Sequence, residues 1–231
     1  MIRHCIIKKQ MHEIQKHILK KLSLVKNTRY SDLKPKTVDG NLFVYHLKKL
    51  TKENYLSSLN GNYKLTPKGK NFSDRMSFEM FQERIQPKIV TLLVIENKGN
   101  YLLYRRKRSP FIGSVGFPYG KIHLEEHIAE AAERELKEKT GLSANLHHKG
   151  EVYLTIYNEA ELITQMLCHI FTGKNPCGEL RTNSSVGDVF WGKIEEVTKD
   201  KLIPGVKQIA KLIKKNKGSF FAEYFLNANE E

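Results

Sequence analysis

Gly120-Lys121-Ile122-His123-Leu124-Glu125-Glu126-His127-Ile128-Ala129-Glu130-Ala131-Ala132-Glu133-Arg134-Glu135-Leu136-Lys137-Glu138-Lys139-Thr140-Gly141-Leu142 is a glutamate-rich stretch bounded by Gly120 and Gly141. Glu and Ala dominate from about Glu125 to Lys139 and Gly141 supplies a stop, which predicts a helix over that span. Glu135, Glu138 and position 139 stand at i, i+3 and i+4, so they share one helical face. Carboxylates gathered on one face can hold Mg²⁺ or Mn²⁺, hard cations that also bind bridging phosphates.

The surroundings favour a β-rich domain around that helix. Lys88 to Glu96, the turn Asn97-Lys98-Gly99-Asn100, and Tyr101 to Lys107 read as strand, turn and strand. Gly150 to Tyr157 and Leu162 to Phe171 read as a second hairpin, and Asp188 to Gly192 as a strand carrying the single tryptophan. Ile203-Pro204-Gly205 opens a last helix through Ile209, Leu212 and Ile213, and Phe220 to Phe225 closes as a strand.

The quoted stretch resembles the Nudix box: Gly120, five residues, Glu126, seven residues, Arg134-Glu135-Leu136, one residue, Glu138, then Gly141-Leu142. Eight of the nine positions that the family specifies are met, and the departure is Lys139 in place of the second glutamate of a Glu-Glu pair. The resemblance covers residues 88–227 and implies an α/β/α sandwich. It implies a pyrophosphohydrolase of a nucleoside diphosphate linked to another moiety, with Mg²⁺ or Mn²⁺ held by Glu135 and Glu138. By the same resemblance Arg134 positions the glutamates, Glu126 ties the loop to the helix, and Gly120 and Gly141 shape the backbone. Tyr119 and Lys121 become candidate ligand contacts, since Tyr119 stands where the family commonly has a second glycine. A lysine four residues after Glu135 can pair with it and place positive charge where a cation belongs. Two outcomes stay open: weakened metal binding and turnover, or one ion retained with the help of Glu125, Glu130 or Glu179.

The N-terminal part is different in charge. Up to Lys88 there are 19 Lys and Arg against 7 Asp and Glu, an excess of 12, out of a whole-chain net charge of +14. Met11, Ile14, Ile18, Leu19 and Leu22 follow a helical period. Ser31 and Asp32 can cap a short second helix that Pro35 ends. A third helix follows Asp39-Gly40, with Leu42, Val44 or Tyr45, Leu47 and Leu50 as its buried stripe. Leu59-Asn60-Gly61-Asn62 is a hairpin turn.

Helix, short helix, helix and hairpin over residues 8–72 resemble a winged helix-turn-helix. That resemblance implies a third helix in the major groove of duplex DNA and a wing on the backbone. It makes Asn41, Tyr45, His46, Lys48 and Lys49 candidate DNA contacts, with Lys64, Lys68 and Lys70 on the wing side. Residues 73–87, rich in Phe and Met and closed by Pro87, read as a linker helix that offers a homodimer contact.

Other readings fall away. The string His123-Leu124-Glu125-Glu126-His127 has the His-x-x-Glu-His spacing of a zinc peptidase, but that needs a helix through all five residues. His147, His148 and His169 read as satisfied or solvent-facing strand residues rather than ligands. The longest apolar run, Ile89 to Ile95, is far shorter than the roughly 20 residues of a membrane helix. The first residues turn basic before a secretory core forms, and Cys5, Cys168 and Cys177 match neither a disulfide framework nor a metal pair; the expectation is a cytoplasmic protein.

The expected architecture is an α+β chain: a winged helix-turn-helix, then a Nudix sandwich. Two functions remain in view: a Nudix-type hydrolase with an accessory DNA-binding domain, or a transcription regulator whose Nudix domain senses a nucleotide with little or no hydrolysis.

Overall fold

A computed structural model describes residues 11–184, 187–198 and 201–228. Cys5 and the first three positions of the expected N-terminal domain lie outside them. The chain divides into two units at Gln86/Pro87, one residue before the expected start of the second domain.

In the N-terminal unit the elements are α1 (Glu13–Ser23), β1 (Thr28–Arg29), α2 (Tyr30–Leu33), α3 (Gly40–Lys52), β2 (Leu56–Leu59), β3 (Asn62–Leu65) and α4 (Pro67–Asp74). β1, β3 and β2 form a small antiparallel sheet. The β2–β3 turn is the expected Asn60-Gly61 pair. The core is Ile18, Leu19 and Leu22 of α1, Leu33 of α2, and Phe43, Leu47 and Leu50 of α3, joined by Leu56 and Phe81.

Two expectations fail here. The buried stripe of α3 runs through Phe43, His46, Leu47 and Leu50, while Leu42 is 45% and Tyr45 59% exposed. The registers offered by adjacent apolar residues differ by about 100° of helix rotation. Phe43 fills the space between α1 and α2, and that choice turns His46 inward. His46 is therefore buried, stacked on His12 at 4.1 Å, and does not stand on the outer face with the lysines.

The linker helix over 73–87 is also absent. α4 ends at Asp74, and the segment beyond folds back through a Met76–Glu83 bridge. Ser77 and Gln82 hydrogen-bond in that fold-back, and Phe81 turns into the core from a left-handed backbone. A continuous helix would not allow that backbone or that burial.

In the C-terminal unit the elements are β4 (Lys88–Asn97), β5 (Asn100–Arg106), β6 (Val115–Gly116), β7 (Tyr119–Lys121), α5 (Ile128–Thr140), β8 (His147–Asn158), β9 (Glu161–Lys174), β10 (Asn183–Ser184), β11 (Gly187–Gly192), a 3-10 turn (Ile194–Glu196), α6 (Val206–Lys215) and β12 (Phe220–Asn227). The sheet runs β10-β11-β5-β4-β9-β8-β12, with β6 on β5 and β7 on β4. β4 lies between parallel β9 and antiparallel β5 and β7, which explains its near-continuous apolar run.

One sheet face, with Leu93, Ile95, Leu102 and Phe171, packs on Ala132 and Leu136 of α5. The other, with Leu92, Leu103, Leu154 and Met166, packs on Val206, Ile209 and Ala210 of α6. α5 starts at Ile128, later than expected. Glu125 has φ 66°, which bars it from a right-handed helix, and His127 caps the helix together with Glu130. Among the described residues no helix is long and apolar enough to cross a membrane.

Candidate active site

The box residues converge on one guanidinium. Arg134 points back along α5 to the preceding loop, where its Nε and Nη2 donate to the two oxygens of Glu126 at 2.6 and 2.9 Å. Its Nη2 also donates to the Lys121 carbonyl at 3.1 Å and its Nη1 to Glu135 Oε1 at 2.8 Å. The Glu126 carboxylate in turn accepts from the His123 backbone N–H at 2.9 Å. With both oxygens held by Arg134, the Glu126 carboxyl is pulled down to about 2. The same pair raises the Arg134 guanidinium above its ordinary value. A bidentate, charge-assisted pair of this kind fixes geometry as well as charge.

Glu135 is buried, with 7% of its surface exposed. Its space comes from Gly120: a Cβ there would lie 1.7 Å from the Glu135 Cδ. The helix ends where Gly141 takes a left-handed φ of 77°, and a Cβ at Gly141 would stand 2.5 Å from the Glu179 carbonyl. The two glycines thus have separate steric reasons: one admits a carboxylate, the other turns the chain.

The second oxygen of Glu135 meets Lys139 Nζ at 3.0 Å. Lys139 also donates to the Tyr119 carbonyl. Burial pushes the lysine below its ordinary value against the pull of Glu135. Glu138 differs from Glu135: its side chain is 63% exposed, and its ion pair is with Arg134 at 3.5 Å. The structure therefore brings together Gly120, Glu126, Arg134, Glu135, Glu138 and Lys139. Glu135 already carries a cation on each oxygen, which leaves Glu138 as the exposed carboxylate beside it on the Arg134 side of the helix. This donor set fits one Mg²⁺ or Mn²⁺, since such ions often take one or two protein carboxylates and complete their oxygen shell with water and phosphate.

Tyr119 is held by a residue that sequence reading missed. Arg106, 3% exposed at the end of β5, donates to Tyr119 Oη and to the carbonyls of Ser109 and Pro110. An arginine ending an apolar strand was the available signal, but its partners lie in a loop and another strand. Arg106 and Tyr119 line a mostly apolar cavity of about 40 Å³ with Phe117, Met166 and Ile203. Lys121 is exposed and enters the site through its carbonyl. Cys168 is buried and its thiol is pushed up to about 12, which makes it inert; Cys177 is exposed and unpaired by disulfide.

In the N-terminal unit, Asn41, Tyr45 and Lys48 are exposed on α3 and Lys49 is half-buried. Lys48 borders a groove shared with Ser58 and Tyr63 of the hairpin. Lys64, Lys68 and Lys70 are exposed, although Lys68 donates to the Glu53 carbonyl at 2.7 Å and lies 4.3 Å over the Tyr55 ring.

The site is thus a carboxylate-bearing helix laid on a mixed sheet, preceded by a glycine loop and locked by an arginine. A family model for the NUDIX domain matches residues 86–215, and the chain belongs to that family. The oxidized purine nucleoside triphosphate hydrolase of Danio rerio is 37% identical over 93 residues, 40% of this chain and 58% of that protein. The ADP-ribose pyrophosphatase of Methanocaldococcus jannaschii is 32% identical over 78 residues, 32% of this chain and 46% of that protein. The chain thus spans about half the length of these curated relatives. The crystal structure of the MutT protein of Bacillus halodurans superposes with a TM-score of 0.52 at 25% identity, covering 62% of this chain and 93% of that one.

Proposed function

We propose that the chain is a pyrophosphohydrolase acting on a nucleoside diphosphate linked to another moiety, and that its N-terminal unit is a winged helix-turn-helix that binds duplex DNA. The observation that carries the first half is the Glu126–Arg134–Glu135 chain of ion pairs, which fixes Glu135 beside the accessible Glu138. Both similar proteins are named for purine nucleosides joined to a phosphoanhydride, and that is the substrate class we assign.

Arg134 holds Glu135 in one orientation and keeps its charge from being left unpaired on burial. Glu138, with Glu135 at its side, would hold Mg²⁺ or Mn²⁺. When bound, such an ion neutralises the diphosphate and makes water a better nucleophile. Lys139 adds a fixed positive charge that a phosphate oxygen can meet, at the expense of metal affinity. Tyr119 lines the cavity that a base would have to widen, since about 40 Å³ admits little more than water.

The Lys139–Glu135 pair favours a second reading: a transcription regulator whose NUDIX domain senses a nucleotide with little or no hydrolysis. Cleavage of a panel of nucleoside-diphosphate compounds with Mg²⁺ or Mn²⁺ separates the two. Turnover by the native protein that is lost in Glu138→Gln supports the hydrolase. A silent native protein that gains turnover in Lys139→Glu supports the sensor.

For the N-terminal unit the support is the order of its elements, the exposed lysines of α3 and the hairpin, and the charge excess. Its test is duplex binding that weakens steeply with salt. Absence of binding at low salt removes the DNA reading.

A further inference from the structure

The β8–β9 hairpin carries a second group of metal-ligating side chains. Glu151 and His169 are directly opposed in its antiparallel register and so share a sheet face. His148 lies three residues before Glu151, a spacing that in a regular strand puts two side chains on opposite faces. The register shift between His148 and Gly150 cancels that offset. The His148 Nε2 then stands 3.2 Å and the His169 Nδ1 3.6 Å from the same Glu151 oxygen.

We infer that His148, Glu151 and His169 form a binding site for one borderline divalent transition ion of the Zn²⁺ class, separate from the carboxylates of α5. The three donor atoms lie within 4.8 Å of one another. A tetrahedral ion with bonds of about 2.0–2.2 Å needs donors roughly 3.4 Å apart, so two of the separations already suit one. Two imidazoles and a carboxylate select Zn²⁺, Co²⁺ or Ni²⁺ over Mg²⁺.

The site is also supported around its edges. The His169 side chain is 13% exposed, against 40% for His148 and 34% for Glu151, so the group is anchored on one side and open to water on the other. The His148 ring packs edge-on against Phe171 at 5.2 Å, which limits its rotation.

Its place in the fold separates it from the box. Gly120, Thr91, His169 and Glu151 are successive register partners across β7, β4, β9 and β8. His169 is therefore two strand spacings, about 10 Å, from the glycine under Glu135.

The test uses the untagged full chain in a Cys5→Ser, Cys177→Ser background, with Zn²⁺ titrated against a chromophoric chelator. Co²⁺ in the same protein gives a visible spectrum that reports its ligands. One equivalent of Zn²⁺ is expected to bind, and Mg²⁺ in large excess not to displace it. His148→Ala, Glu151→Gln and His169→Ala should each weaken it by at least the roughly 10–100-fold that loss of a ligand-orienting group costs a metal site. Glu138→Gln should leave it unchanged. Circular dichroism checks each fold, and the more exposed His148→Ala carries the test if His169→Ala does not fold. No Zn²⁺ binding, equal binding in all three variants, or loss in Glu138→Gln overturns the assignment. Because this readout is binding of Zn²⁺ alone, it stands apart from the cleavage assay.

Discussion

α3 and α5 are both helices of 13 residues, each laid against the core of its unit, yet they bury their polar groups in opposite ways. α3 buries His46 with Nδ1 unpartnered among the described residues, and desolvation lowers its basicity. α5 buries Glu135 with a cation on each oxygen, drawn from Arg134 and Lys139. A buried charge is costly unless paired, so the compensation around Glu135 marks α5 as the helix built for chemistry. On α3 the lysines stay off the buried stripe, where a charge costs little.

The largest expected effect concerns the packing side of that contrast. Phe43→Ala empties a fully buried position and should cost the N-terminal unit about 3–5 kcal/mol in denaturant melts. Leu42→Ala, one residue away and exposed, should change stability by less than about 0.5 kcal/mol. The reverse order would mean that α3 is rotated to the register first expected from its sequence.

That first register shows where the sequence is legible and where it is not. α5 was readable because the box is a matter of spacing along one chain: Gly120, Glu126, Arg134, Glu135 and Glu138 are fixed by counting. Lys139 was visible as a departure for the same reason. α3 was misread because Leu42, Phe43, Val44 and Tyr45 are all apolar, and only the shape of the space against α1 and α2 chooses among them. The helix expected after Asp74 failed because Phe81 reaches the core by a fold-back that periodicity does not encode. Arg106 with Tyr119, and His148 with Glu151 and His169, were out of reach because strand register and a bulge bring them together.

On the chemical side, Gly120→Ala would drive a methyl into Glu135. A displacement of that order should lower turnover about 100-fold while thermal melting shows the unit still folded. Undiminished turnover would mean that Glu135 has no fixed role.

A smaller effect is expected on α3. Lys48→Glu and Lys49→Glu should each lower the slope of log affinity for duplex DNA against log salt by about one. An unchanged slope would move the contact surface away from this helix.

The smallest effect tests the Arg134 hub by pH. Because the folded Glu126 carboxyl is held near 2, below its unfolded value, its stabilisation is present above the unfolded value and is lost as pH falls toward 2. Native protein should therefore lose more melting temperature between pH 5 and pH 3 than Glu126→Gln, to the extent that exposure leaves the pair unscreened. Parallel pH curves would remove Glu126 from the hub.

The Lys139 ammonium stands 3.0 Å from Glu135 Oε2, where it would compete with a divalent ion for that carboxylate, and Mn²⁺ affinity measured by electron paramagnetic resonance reads that competition. Weak binding is expected of the native protein and binding at least about tenfold tighter of Lys139→Glu, a gain of some 1.4 kcal/mol. Equal Mn²⁺ affinity in the two proteins would contradict it and show that Lys139 and the metal do not compete.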